Sequence, residues 1–307
     1  MGKYLHLFDS VTAFTESYNG NDYLEPWVSY TEENEHVDYN KYVDPRLKEP
    51  FTIEITSPGH LVASIYYEPD GESGCQVRNY ALEYKKNDGA WTSVTLDRDY
   101  GDLGQGFVNT GTYLDLSVTT GDIIQFRSSG SPADQGGGYW AGLTFGRNNS
   151  MTMPQQTTAG VKPYGNLMSL VSPTNFEGLT TFGTKPYVFP LFYRCTGLTD
   201  ASDLMLPATT LAESCYFLMF ASCTNLTTAP ELPATAFPYT GARCYQSMFN
   251  GCSSLNYIKC LASSNLTENT NYWTNGVAAT GTFVKDANAT WQTGSDGIPT
   301  GWTVVNA

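Results

Sequence analysis

The chain has 307 residues, a length that fits about two domains. Tyr (21) and Phe (15) are abundant while charged residues make up only 15%, a mix that excludes disorder and reads as β-rich with many turns. The net charge of −14 repels phosphate backbones and excludes nucleic acid as a natural partner.

Residues 1–45 form an acidic preface. Lys3 is followed by no apolar run, so the segment is expected to carry no signal peptide. No window approaches the roughly 20 apolar residues of a membrane span. Trp27-Val28-Ser29-Tyr30-Thr31 alternates, a polar turn at 32–35 follows, and Val37-Asp38-Tyr39-Asn40 completes a hairpin pattern. So small a unit lacks a core of its own and is expected to dock or oligomerise.

Residues 46–155 read as an antiparallel β-sandwich. Phe51-Thr52-Ile53-Glu54-Ile55 alternates, and Leu61, Ala63, Ile65 and Tyr67 share one strand face. Strand patterns at 80–84 and 91–96 flank Asp88-Gly89, a hairpin signal. Further strand patterns at 113–116 and 123–126 flank Thr120-Gly121-Asp122, and 140–145 gives the last strand. Residues 156–164, within a polar stretch carrying prolines and glycine, are assigned as linker.

Residues 165–307 are repetitive. Phe192, Phe220 and Phe249 are separated by 28 and 29 residues, and so are Cys195, Cys223 and Cys252, and Leu198, Leu226 and Leu255. Leu206-Pro207-Ala208-Thr209 recurs as Leu232-Pro233-Ala234-Thr235. A period of this size signals a solenoid of stacked units. Cys215, Met219 and Cys223 are spaced by four, as are Cys244, Met248 and Cys252, which places them on one face of a helix. Pro230 and the six-residue steps from Leu226 to Leu232 and from Leu255 to Leu261 predict an extended segment after each helix. The fold class expected is therefore mainly β with a short α/β repeat array.

These blocks resemble the leucine-rich repeats of the BspA-like surface-protein family of gut and oral anaerobes and their phages. The matching text is Leu-Pro-Ala-Thr followed by Cys-Tyr-x-x-Met-Phe-x-x-Cys-x-x-Leu. Trp273-Thr274-Asn275-Gly276-Val277, Gly281-Thr282-Phe283-Val284-Lys285 and Gly297-Ile298-Pro299-Thr300-Gly301-Trp302 are similar to that family's closing segment. The first block departs with Leu191-Phe192 for Met-Phe and two extra residues before its Leu-Pro-Ala-Thr. Residues 3–40 resemble N-terminal segments of virion proteins of such phages. The resemblance implies adhesion to host proteins or glycans and brings no catalytic residues.

The cysteines are expected to be packing residues: no C-x-x-C occurs and their spacing puts them in a core. His6, His36 and His60 show no metal-binding spacing. Asp97, Asp99 and Asp102 form an acidic loop read as a solvated turn, with calcium as the one cofactor weighed. Tyr66, Tyr67, Tyr139 and Trp140 are core aromatics or a sugar-stacking platform. Thr227, Thr228, Glu231, Tyr257 and Lys259, in the extended segments, are the expected contact face. The function expected is a non-enzymatic phage fibre or adhesin at the virion surface. It would be carried by other virion proteins through residues 1–45, assembled as a homotrimer, and bound to a host surface protein or glycan. The alternatives are a bacterial surface adhesin without its export signal and, more weakly, a glycan-cleaving enzyme.

Overall fold

The computed structural model describes residues 44–67, 79–97, 100–102, 107–109, 111–129, 141–146, 156–182, 190–264, 266 and 268–307. The hairpin expected over 27–40 lies outside them. The described strands, in chain order, are β1 (Phe51–Ser57), β2 (Gly59–Tyr67), β3 (Asn79–Lys86), β4 (Thr92–Asp97), β5 (Tyr100–Asp102), β6 (Phe107–Asn109) and β7 (Leu114–Val118). They continue with β8 (Ile123–Ser128), β9 (Ala141–Thr144), β10 (Gly160–Asn166), β11 (Leu204–Met205), β12 (Tyr257–Cys260), β13 (Thr282–Lys285) and β14 (Thr303–Asn306). The fold is mainly β.

Among the described residues one sheet has the order β11-β10-β1-β8-β3-β4, a second β7-β2-β9 and a third, parallel throughout, β12-β13-β14; β5 and β6 pair alone. The expected hairpin is β3–β4, closed by Asn87 at φ +52° and by the Gly89 amide on the Lys86 carbonyl at 3.1 Å. The alternation read in β1 places Phe51, Ile53 and Ile55 in the core. Strand β2 is buried on both faces: Val62 and Ser64 are covered as well as Leu61, Ala63 and Ile65. Thr157 lies over it, its hydroxyl accepting from the Val62 amide at 3.0 Å.

The assignment of 156–164 as a linker is corrected. Gly160–Asn166 is β10, antiparallel to β1 and parallel to β11. Pro163 fits there because β11 meets β10 only at Gly165 and Asn166, so no strand among the described residues needs the N–H that proline lacks. Arg46–Ala307 is one compact unit, and one main cluster of buried apolar side chains runs through it. A run of rings makes the continuity concrete. Phe126 and Phe145 lie 4.6 Å apart, Phe145 and Phe192 6.2 Å, Phe192 and Phe220 5.9 Å, and Phe220 and Phe249 5.6 Å. The last two pairs are stacked nearly parallel, at 6° and 8°.

The helices expected in the repeats are also corrected: the described residues from 190 to 264 contain no α-helix. Two sets of hydrogen bonds interleave instead. The amides of Cys215, Phe217, Met219, Ala221 and Cys223 each donate to the carbonyl three residues back. The amides between them, Ser214, Tyr216, Leu218, Phe220 and Ser222, donate to Ala242, Cys244, Gln246, Met248 and Asn250 of the next block. An α-helix would spend nearly every amide on the carbonyl four residues back and leave few for a neighbour. The geometry requires a left-handed residue every fourth position: Ser214 (+56°), Leu218 (+57°) and Ser222 (+61°), then Arg243 (+56°), Ser247 (+55°) and Gly251 (+78°). Cys215, Met219 and Cys223 do share one buried face, but through a run of tight turns.

Candidate functional site

Each turn run is followed by an extended segment, and these segments lie side by side in parallel. Asp200 bridges Thr228, Thr228 bridges Tyr257, and β12, β13 and β14 continue with Tyr257 opposite Thr282 and Thr282 opposite Thr303. Side chains alternate across a strand, so Asp200, Thr228, Tyr257, Thr282 and Thr303 form one outward column. The inward neighbours Ala201, Ala229, Ile258 and Phe283 are buried in the core. Apolar burial on one side is thus what turns the other side into an ordered, solvent-facing strip.

All five residues expected as a contact face from the repeat region stand on two consecutive rungs of this strip. Their chemistry differs. Thr227 is exposed, yet its hydroxyl and amide both donate to the Thr199 carbonyl at 2.9 Å, so its polar groups serve the stacking of rungs. Glu231 and Lys259 pair across adjacent rungs at 3.0 Å. Both remain partly in solvent, where such a pair contributes at most about 1 kcal/mol. Thr228 and Tyr257 are half-buried beside one another.

Sequence reasoning missed the acidic end of the strip. Lys162 of β10 reaches Asp203 at 2.8 Å and Asp200 at 3.9 Å, and Arg46 lies 3.9 Å from Asp203. The Asp203 carboxylate, through that hydrogen bond, holds the Lys162 ammonium above its usual pKa. The signal was present: one period of 28 back from Thr228 and Glu231 falls on Asp200 and Asp203. Thr282 and Thr303 could not be found that way, because the register shortens to 25 residues from Tyr257 to Thr282 and 21 from Thr282 to Thr303.

The remaining candidates separate. Tyr139 and Trp140 lie outside the described residues. Tyr66 and Tyr67 belong to β2, paired with Gly142 and Ala141 of β9. Asp97 accepts from the Thr112 amide at 2.6 Å and from its hydroxyl at 3.4 Å, which commits that carboxylate to closing a loop. Asp99 lies outside the described residues. His60 Nδ1 meets Asp115 Oδ1 at 2.8 Å on the surface of β2 and β7, and His6 and His36 lie outside the described residues. No group of three His, Cys, Asp or Glu side chains among the described residues converges on a metal position.

The six described cysteines are buried as free thiols. Cys223 Sγ donates to the Phe192 carbonyl and Cys252 Sγ to the Phe220 carbonyl, both at 2.9 Å, so each thiol ties its rung to the preceding one. Burial pushes the thiols of Cys195, Cys252 and Cys260 up to about 12. Protonated, sealed sulfur is neither a nucleophile nor a soft-metal ligand.

No helix among the described residues is long and apolar enough to cross a membrane. No protein-family model, curated protein or solved structure matches the chain.

Proposed function

We propose that this chain is a non-enzymatic attachment protein of a virion, a head or tail fibre of a phage of gut bacteria. In this reading residues 1–45 dock on other virion proteins and assemble the chain as a homotrimer. The sheets of residues 46–166 are the layers of a β-sandwich that spaces the tip. The stacked rungs are a short leucine-rich-repeat solenoid of BspA-like type, which presents the contact strip to a host surface protein or glycan.

The observation that carries this reading is the parallel register of Asp200, Thr228 and Tyr257. It sets polar and aromatic side chains side by side on a backbone that cannot rearrange without unstacking the core. A preorganised strip spends little ordering entropy on binding. Its weak single contacts gain from several copies on one particle. The thiols, the one reactive side-chain class concentrated in the repeats, are spent on packing.

The test uses the purified full chain on whole cells from a panel of gut anaerobes. Saturable retention on some strains, abolished by pre-treating the cells with periodate or with protease, supports attachment and tells glycan from protein. Absence of saturable retention on any strain that an intact carrier particle infects overturns it. Release of reducing ends from capsule polysaccharide would overturn the non-enzymatic reading. Deletion of residues 1–45 should abolish incorporation into particles while leaving the rest folded, and normal incorporation would sink the docking role.

A further inference from the structure

Consecutive rungs of the strip each present one unpaired hydroxyl. Thr228, Tyr257, Thr282 and Thr303 stand in register on adjacent strands, and none of their hydroxyls is hydrogen-bonded to the protein among the described residues. Thr227 shows the contrast one residue away, because its hydroxyl is tied to the Thr199 carbonyl at 2.9 Å. The inward neighbours Ala229, Ile258 and Phe283 are buried, so the core fixes where these rungs lie. Neighbouring strands are about 4.8 Å apart, and the hydroxyls recur at that interval.

The same surface is electrically balanced. Lys259 meets Glu231 at 3.0 Å, Lys162 meets Asp203 at 2.8 Å and Asp200 at 3.9 Å, and Arg46 meets Asp203 at 3.9 Å. These carboxylates and cations cancel, in a chain of net charge −14. An anionic polymer therefore meets the field of an acidic chain with nothing at the strip to offset it, and a cationic one finds the carboxylates already paired. Tyr257 is the one aromatic on the column, which lacks the clustered aromatic and arginine anchors of a protein–protein hot spot. An extended peptide presents same-side groups about 6.6 Å apart, out of step with the rungs. A polysaccharide of extended, equatorially linked sugars carries hydroxyls on every unit, and one unit is close to one rung in length.

We infer that the strip takes an uncharged, unbranched polysaccharide, laid across the rungs along the stacking direction with one sugar unit per rung. Each unit exchanges a hydrogen bond with one hydroxyl of the column. The Tyr257 ring adds apolar contact to the C–H face of the unit on its rung. A single such bond is weak in water, and the column gains by repeating it in step with the ligand. This inference rests on the attachment reading and names the chemistry of its ligand.

The test uses the full chain and a strain whose cells retain it. Polysaccharide released from those cells is separated by anion exchange into neutral and acidic fractions, and each is added as competitor. The neutral fraction should displace the chain, and its affinity should change by less than about two-fold between about 50 and 500 mM salt, since no charged contact is made. Thr228→Val and Thr282→Val remove a hydroxyl and keep the shape. Each should weaken that affinity about three- to ten-fold, the range for one net hydrogen bond, with the melting temperature unchanged. Among fragments of the neutral fraction graded by length, affinity should rise with each unit from a single sugar to a tetramer. Four results overturn the inference and leave the attachment reading standing: displacement by the acidic fraction alone, retention lost to protease but untouched by either fraction, wild-type affinity in both valine variants, or single sugars that bind as tightly as tetramers. Retention on no strain removes the attachment reading, and this inference with it.

Discussion

Ser222→Gly and Gly251→Ala probe the backbone of the repeats with opposite signs. The two positions are equivalent in consecutive turn runs, at φ +61° and +78°. An L-residue in the left-handed region costs about 1–2 kcal/mol. Removing the Cβ at Ser222 relieves that cost, against about 0.4–1 kcal/mol of added freedom in the unfolded chain. The net expectation is a gain of about 0.5–1 kcal/mol. Adding a Cβ at Gly251 imposes the cost and brings the new carbon to 3.3 Å from Ser222 Oγ, so a loss of about 1 kcal/mol is expected. A helix makes the contrary prediction for Ser222, because glycine in a helix interior costs about 0.5 kcal/mol relative to serine. Scanning calorimetry decides: a unit of this size shifts by about 2–4 °C per kcal/mol. A lower melting temperature for Ser222→Gly, or an unchanged one for Gly251→Ala, would refute the turn-run account.

Other consequences are as direct. Phe220→Ala empties a fully buried ring site between Phe192 and Phe249 and should lose about 3–5 kcal/mol in urea unfolding, with a double-mutant cycle to Phe249 showing coupling. The six described thiols should resist maleimide at pH 8 in the native protein and all react once it is unfolded, since all six are buried away from the reagent. Lys86, first, then the Thr119 amide and Asn87 hold the Asp122 carboxyl well below the usual carboxylate range. A depressed folded pKa contributes stability that is present above the unfolded value of about 4 and is lost as pH falls below it. Urea unfolding at pH 7 and pH 3 should therefore show a smaller acid loss for Asp122→Asn than for wild type.

The periodicity was legible in the chain because identical residues recur where identical surroundings recur. Phe192, Phe220 and Phe249 stack as rings one step apart, and the cysteines between them stack as thiols. The conformation carrying that period was not legible. A strict spacing of four at Cys215, Met219 and Cys223 fits a helical face nearly as well as a run of four-residue turns. The distinguishing mark was the exact recurrence of four where a helix mixes three and four, together with Gly251 and Gly276 at left-handed positions. Strand β10 was hidden by Gly160 and Pro163, which read as linker until their partners are known, and by the boundary placed at Gly165 inside the strand. In the strip, repeat spacing located Thr228 and Tyr257, but the pairing of Glu231 with Lys259 and the Lys162–Asp203 bridge depend on contacts between rungs.

The central claim is that the parallel strip is the contact surface, and Tyr257 is its one aromatic side chain on the column that runs from Asp200 to Thr303. Retention of the full chain on cells that bind it should be measured for Tyr257→Ala against Thr95→Ala, an exposed change on β4 away from the strip. Truncating an aromatic contact typically costs 1–2 kcal/mol or more, so Tyr257→Ala should weaken binding by about ten-fold with its melting temperature near that of wild type, while Thr95→Ala binds normally. Wild-type affinity in a folded Tyr257→Ala protein would contradict the account.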